Sequence, residues 1–76
     1  MDIRIKNVIA AVLEIPINDI NEKTTSETVE NWDSLKQMLL IIALEEEFEI
    51  EYSDEDRIQM LNYTEIYNRT QLIVNN

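Results

Sequence analysis

A chain of 76 residues carrying sixteen Asp and Glu against six Lys and Arg has a formal charge of −10 at neutral pH, which argues against nucleic acid and anionic membrane as partners, because both select positive charge. Its hydrophobic fraction, 45%, is too high for a disordered acidic tail, and a length of this order supports one domain with one thin core, residues 1–76. The absence of cysteine and histidine removes disulfides, thiolate metal sites, thiol nucleophiles and imidazole bases, so neither an enzyme nor a metal site is expected.

The first predicted element is a helix over residues 1–14. Ile5, Val8, Ile9, Val12 and Leu13 recur at helical spacing, with Asp2 as an acid near the N-terminus. Pro16 is expected to end it, since the residue before a proline is pushed out of the helical region. The opening "MDIRIKNVIAAVLEI" is interrupted by charge, so neither a signal peptide nor membrane insertion is expected, and a cytoplasmic location is the default. Residues 15–33, "IPINDINEKTTSETVENWD", have no sustained period and are rich in Asn, Thr, Asp and Ser, which reads as a long loop. Ile17, Ile20, Val29 and Trp32 are its expected anchors in the core, and a loop this long in a small domain usually serves function.

The second helix is predicted from Ser34 to Phe48, with Asp33 as N-cap and Ser34 at or near the first helical position. It holds seven consecutive apolar residues, "MLLIIAL". At about 100° per residue these divide into two stripes. Leu40, Ile41, Leu44 and Phe48 form one, expected to fill the core. Leu35, Met38, Leu39 and Ile42 form the other, which either closes over an internal cavity, is covered by the 15–33 loop, or faces a partner. Glu46 and Glu49 at its end, with Glu45 beside Met38, give it the charged rim of a protein-binding patch.

"YSDED" is a cap signature, with Ser53 or Asp54 as acceptor and acids in the first turn, predicting a short third helix from Asp54 to about Leu61. "NYTEIYNRTQLIVNN" predicts a fourth, with Thr64 as a possible cap and Ile66, Tyr67, Thr70, Ile73 and Val74 facing inward. There is no glycine, no repeat and no alternating strand. The expected fold is all-α: a four-helix bundle with a short third helix and a long loop between helices 1 and 2. Trp32 reads as a loop anchor, Tyr63 and Tyr67 as core or core-rim residues. Residues 45–56 hold eight acids and no base. They read either as a solvated helix end or as a steering field for a basic partner, and they lack the spacing and central glycine of an EF-hand.

A helix N-terminus offers unpaired amides and partial positive charge, so a phosphate on Ser34 would be stabilised there. "WDSL" at the start of a helix that ends "ALEEEF", followed by the acid-capped "EIEYSDED", resembles the acyl carrier proteins over nearly the whole chain. The resemblance implies that Ser34, preceded by Asp33, carries 4′-phosphopantetheine through a phosphodiester, and that the thiol of this arm holds acyl groups as thioesters. It implies that the second helix is the surface offered to enzymes, with Leu35, Met38 and Ile42 in contact and Asp33, Glu45 and Glu46 answering the partner's Arg and Lys. The implied partners are a phosphopantetheinyl transferase and acyl-loading, acyl-transfer or synthase enzymes with basic docking surfaces, acting on a monomeric carrier. Typical fatty-acid carriers have acids where this chain has Lys36 and Leu39, which favours a dedicated polyketide, lipid or surface-glycan pathway over housekeeping fatty-acid synthesis. Two alternatives stay open: an aminoacyl or peptidyl carrier, and an unmodified acidic interaction module in which Ser34 is only a cap.

Overall fold

The computed structural model describes residues 2–75 as four α-helices around a single core: α1 (Asp2–Leu13), α2 (Ser34–Phe48), α3 (Asp54–Gln59) and α4 (Tyr63–Val74). Spacing by four places Ile5, Ile9 and Leu13 in one fully buried row on α1. Leu40, Ile41 and Leu44 of α2, Ile66 of α4, and Ile20, Trp32, Tyr52 and Met60 from the connections complete the core. Among the described residues there is no strand beyond a single bridge between Thr25 and Asn62, and no helix long and apolar enough to cross a membrane.

Two helices end in the same way. Glu14 has φ 57° and Glu49 has φ 55°. The Ile15 N–H bonds the Ala10 carbonyl at 3.2 Å, and the Ile50 N–H bonds the Glu45 carbonyl at 3.1 Å. Each is a Schellman closure with an apolar residue packed after it, and each puts a glutamate in the left-handed region because the chain has no glycine to place there. The left-handed residue stops α1 before Pro16, which follows at φ −62° and prevents any continuation.

The caps of the last two helices refine the expectations. Ser53 caps α3 in a reciprocal box with Asp56, at 3.1 and 3.2 Å. The helix ends at Gln59, and Met60 turns into the core instead of continuing toward Leu61. Asn62, not Thr64, caps α4: its side chain accepts from the Glu65 N–H at 2.8 Å. Thr64 already lies inside the helix, while Asn62 is held extended where it pairs with Thr25. Val74 is exposed rather than inward. It lies two turns past Ile66, about 80° off the buried row at 100° per residue, at the end of the helix.

The 15–33 connection is a loop with a short 3₁₀ turn, Ile17–Asp19. Ile20 and Trp32 are buried and Ile17 and Val29 are half-buried, so all four expected anchors engage the body of the domain to some degree. The Ser26 N–H donates to the Leu61 carbonyl at 2.8 Å, and the Tyr63 N–H donates to the Thr24 carbonyl at 2.9 Å. Asn31 donates to the Leu13 carbonyl at 3.2 Å. The loop is therefore tied to the end of α1 and to the α3–α4 junction.

Tyr52 joins α4 to the segment before α3, its hydroxyl 2.6 Å from Thr70 Oγ1 in the buried core. Burial pushes its phenol up to about 12 from the ordinary 10, against the opposing hydrogen bond from Thr70 and with smaller support from the charges of Glu45 and Asp56. A phenol with a raised folded pKa must hold its proton for the fold to be at full strength. Its contribution is complete below about pH 10 and is lost as pH rises through 12. A spectrophotometric titration should therefore show the Tyr52 phenol ionising near 12 rather than near 10, together with a loss of thermal stability over that window. Ionisation of Tyr52 near pH 10 with the fold intact, assigned by comparison with Tyr52→Phe, would contradict this.

The left-handed glutamates give a second expected outcome. Glu49→Gly removes a steric cost of roughly 1–2 kcal/mol, partly offset by the greater freedom of glycine in the unfolded chain. It also removes a negative charge from a helix C-terminus. The melting temperature should rise, by a stability gain of up to about 1 kcal/mol; a fall would refute the strain argument.

Candidate functional site

The start of α2 is built by Asp33. Its backbone is extended and its Oδ1 accepts the Lys36 N–H at 2.9 Å, while its carbonyl accepts the Gln37 N–H at 2.9 Å. With the cap supplied by Asp33, Ser34 occupies the first helical position and is exposed. Lys36 reaches back to Glu14 at 3.4 Å and ties the start of α2 to the end of α1.

Two depressions meet at Ser34. One, of about 360 Å³, is lined by Ser26, Trp32, Gln37 and Leu61. The other, of about 440 Å³, runs between α2 and α3 past Met38, Ile41, Ile42 and Ile58. Gln37 lines both.

The division of α2 into two stripes is present in the fold. Leu40, Ile41 and Leu44 are buried and Phe48 half-buried, whereas Leu35 is 62% and Met38 60% exposed, with Leu39 and Ile42 exposed beside them. The 15–33 loop lies elsewhere and does not cover this stripe. Ile58 of α3, 67% exposed, borders the same groove. The result is an uncovered apolar surface beginning one residue after Ser34.

The acids expected at its rim divide. Glu46 is exposed. Glu45 is half-buried and engaged inside the domain: its Oε2 accepts the Tyr52 N–H at 2.9 Å and pairs with Arg57 at 3.2 Å. It therefore holds the end of α2 to α3. Arg69 of α4 ties that helix to α3 through Asp56 at 2.9 Å and pairs with Glu65 one turn back on its own helix at 2.7 Å. Partial burial pushes the Asp56 carboxyl up, but hydrogen bonds from Arg69 and Ser53 outweigh it and hold the group below its ordinary range. Five of the six bases are paired in this way; Lys23 has no such partner among the described residues. The field outside the protein is accordingly that of the unpaired acids.

Sequence reasoning missed three residues at this site: Gln37, Arg57 and Ile58. The spacing of Gln37, one turn after Ser34 on the same helix face, and the position of Arg57 as the first base after the acidic run were the available signals. Nothing in the local pattern distinguished Ile58 from a core residue. Among the described residues no cluster of three or more His, Cys, Asp or Glu is arranged to hold a metal ion. No protein-family model matches the chain.

This geometry separates core from surface on one helix. Leu44→Ala should cost roughly 2–5 kcal/mol, the usual range for a fully buried leucine, while Met38→Ala should stay within about 0.5 kcal/mol of wild type. Urea unfolding of the two variants measures this directly. Equal losses would mean that the outer stripe is core.

Proposed function

We propose that the chain is an acyl carrier protein, a small helical bundle that holds acyl groups on a 4′-phosphopantetheine arm attached to Ser34 and presents them to partner enzymes. The observation that carries the reading is the position of Ser34: an exposed hydroxyl on the first turn of α2, relieved of capping by Asp33, directly before an uncovered apolar stripe. An unmodified module in which Ser34 serves as the cap accounts for neither feature.

The residues present suit the group. Ser34 Oγ is the attachment atom, and the unpaired amides of the first turn favour an attached phosphodiester. The depressions on either side of Ser34 give an arm room to lie along the surface. When bound, the arm supplies the thiol that the chain lacks. Attachment forms the Oγ–phosphorus bond and breaks the phosphoanhydride of coenzyme A, releasing adenosine 3′,5′-bisphosphate; the hydroxyl proton passes to a base of the transferase. No imidazole or thiol exists in this chain to act in its place.

Leu35, Met38 and Ile42 form the surface a partner would bury, and Glu46 together with the unpaired acids around it steers a basic docking surface toward them. Lys36 and Leu39 stand where typical fatty-acid carriers place acids, which favours enzymes of a dedicated pathway and leaves an aminoacyl cargo as the second possibility for the same arm.

Incubation with coenzyme A and a broad-specificity phosphopantetheinyl transferase should add one phosphopantetheinyl unit to the intact mass. Ser34→Ala should gain none while keeping its helical circular dichroism. Labelling of Ser34→Ala, or wild type that no transferase modifies, would overturn the reading.

A further inference from the structure

Both polar atoms of the Gln37 side-chain amide have partners. Its Oε1 accepts the Trp32 indole N–H at 2.6 Å, and its Nε2 donates to the Met60 carbonyl at 3.0 Å and the Arg57 carbonyl at 3.3 Å. The orientation of the amide is fixed by its partners, because an indole N–H can only donate and a carbonyl can only accept. The two carbonyls belong to the C-terminal end of α3, where backbone acceptors have no partner within the helix. Thus one side chain of α2 both holds the last anchor of the 15–33 loop and caps the end of α3.

This link matters because of what it joins. α3 buries none of its own residues. Apart from Met60 after its end, it is held by the polar contacts of Gln37, of Glu45 with Arg57, and of Arg69 with Asp56. Trp32 stands two residues before Ser34, and Gln37 three after it. Gln37 lines both depressions beside Ser34, so one amide of α2 reaches both walls flanking the serine, and the Glu45–Arg57 pair ties α3 to α2 a second time farther along.

We propose that Gln37 is the positioning residue of the Ser34 site: by fastening Trp32 and the end of α3 to the first turns of α2, it presents the surface on both sides of Ser34 in a single geometry to the modifying enzyme. The proposal rests on Ser34 being modified. Gln37 does not supply chemistry to the hydroxyl. Severing it should therefore impair docking of the enzyme and leave the transfer step itself intact.

Gln37→Met keeps the side-chain length and removes donors and acceptor together. Gln37→Glu keeps an acceptor for the indole but cannot donate to the α3 carbonyls. Three measurements on the full chain test the proposal: emission and indole N–H resonance of Trp32, the sole tryptophan; hydrogen exchange of the α3 amides; and steady-state kinetics of phosphopantetheinyl transfer. Gln37→Met should shift the Trp32 emission to the red, lose protection in α3, and raise KM roughly tenfold or more with kcat retained. Gln37→Glu should keep the indole resonance, lose protection in α3, and raise KM less. The proposal is overturned if both variants keep wild-type α3 protection and KM. It is also overturned if KM rises while the Trp32 and α3 signals stay at wild type, which would make Gln37 a direct contact of the enzyme. If Gln37→Met does not fold, Gln37→Glu decides alone by the same two readouts, α3 protection and KM. Wild type that is never modified defeats the carrier reading itself, whereas labelled wild type with unaffected variants defeats only the role of Gln37.

Discussion

The structure depends on one imbalance: α2 has more apolar circumference than a chain of this length can cover. Once Leu40, Ile41 and Leu44 are packed against the row of Ile5, Ile9 and Leu13, the opposite side of the helix needs a second layer. α3 is too short to provide it, and the 15–33 loop is held elsewhere by its bonds to Leu61, Tyr63 and Leu13. Burying a large side chain stabilises by roughly 1.5–3 kcal/mol, so the open stripe gives up several such increments. Monomeric domains seldom expose a contiguous apolar surface without a use for it.

What holds the periphery is polar. α3 is fastened by Gln37, by the Glu45–Arg57 pair and by the Arg69–Asp56 pair, with Met60 as the single buried plug behind it. Pairs of this kind near a surface are individually weak, so α3 is expected at the low end of local stability in the domain. Charge works alongside this. Five of the six bases sit in ion pairs with the protein's own acids, two of them in these tethers, so the outward field is set by exposed acids such as Glu46, Glu49, Glu51 and Glu55. Steering by such a field accelerates encounter with a basic surface more than it tightens the complex. An apolar surface inside an acidic field suits a carrier that meets several enzymes briefly, and this agreement of two independent features supports the proposed function.

The absence of glycine leaves its own mark. Both Schellman closures are made by glutamate, at Glu14 and Glu49, so a conformational cost remains at each end of the α1 and α2 pair. Glu14 also receives Lys36, which couples the turn after α1 to the start of α2, close to Ser34. Glu49 has no comparable partner among the described residues, and its side chain is exposed.

Much of this was legible in the sequence by itself. Apolar period, caps and the lone proline determined four helices and the bounds of α2, and the wheel of residues 34–48 determined its two faces, because a helix start, a helix stop and a helical face are properties of residues within a few positions of one another. Asp33 as the N-cap and Ser34 as the first helical residue were likewise readable from local pattern, and the structure places both there. Only the tertiary structure decided that the 15–33 loop leaves the outer stripe uncovered, that Glu45 turns inward to Tyr52 and Arg57, that Asn62 rather than Thr64 opens α4, and that Gln37 joins loop, α2 and α3. Each of these depends on partners that lie far apart in the chain or on a loop whose path no local pattern encodes. A half-buried glutamate and an exposed one have the same one-letter code, and what separates them is the backbone amide of Tyr52 that the fold brings to one of them.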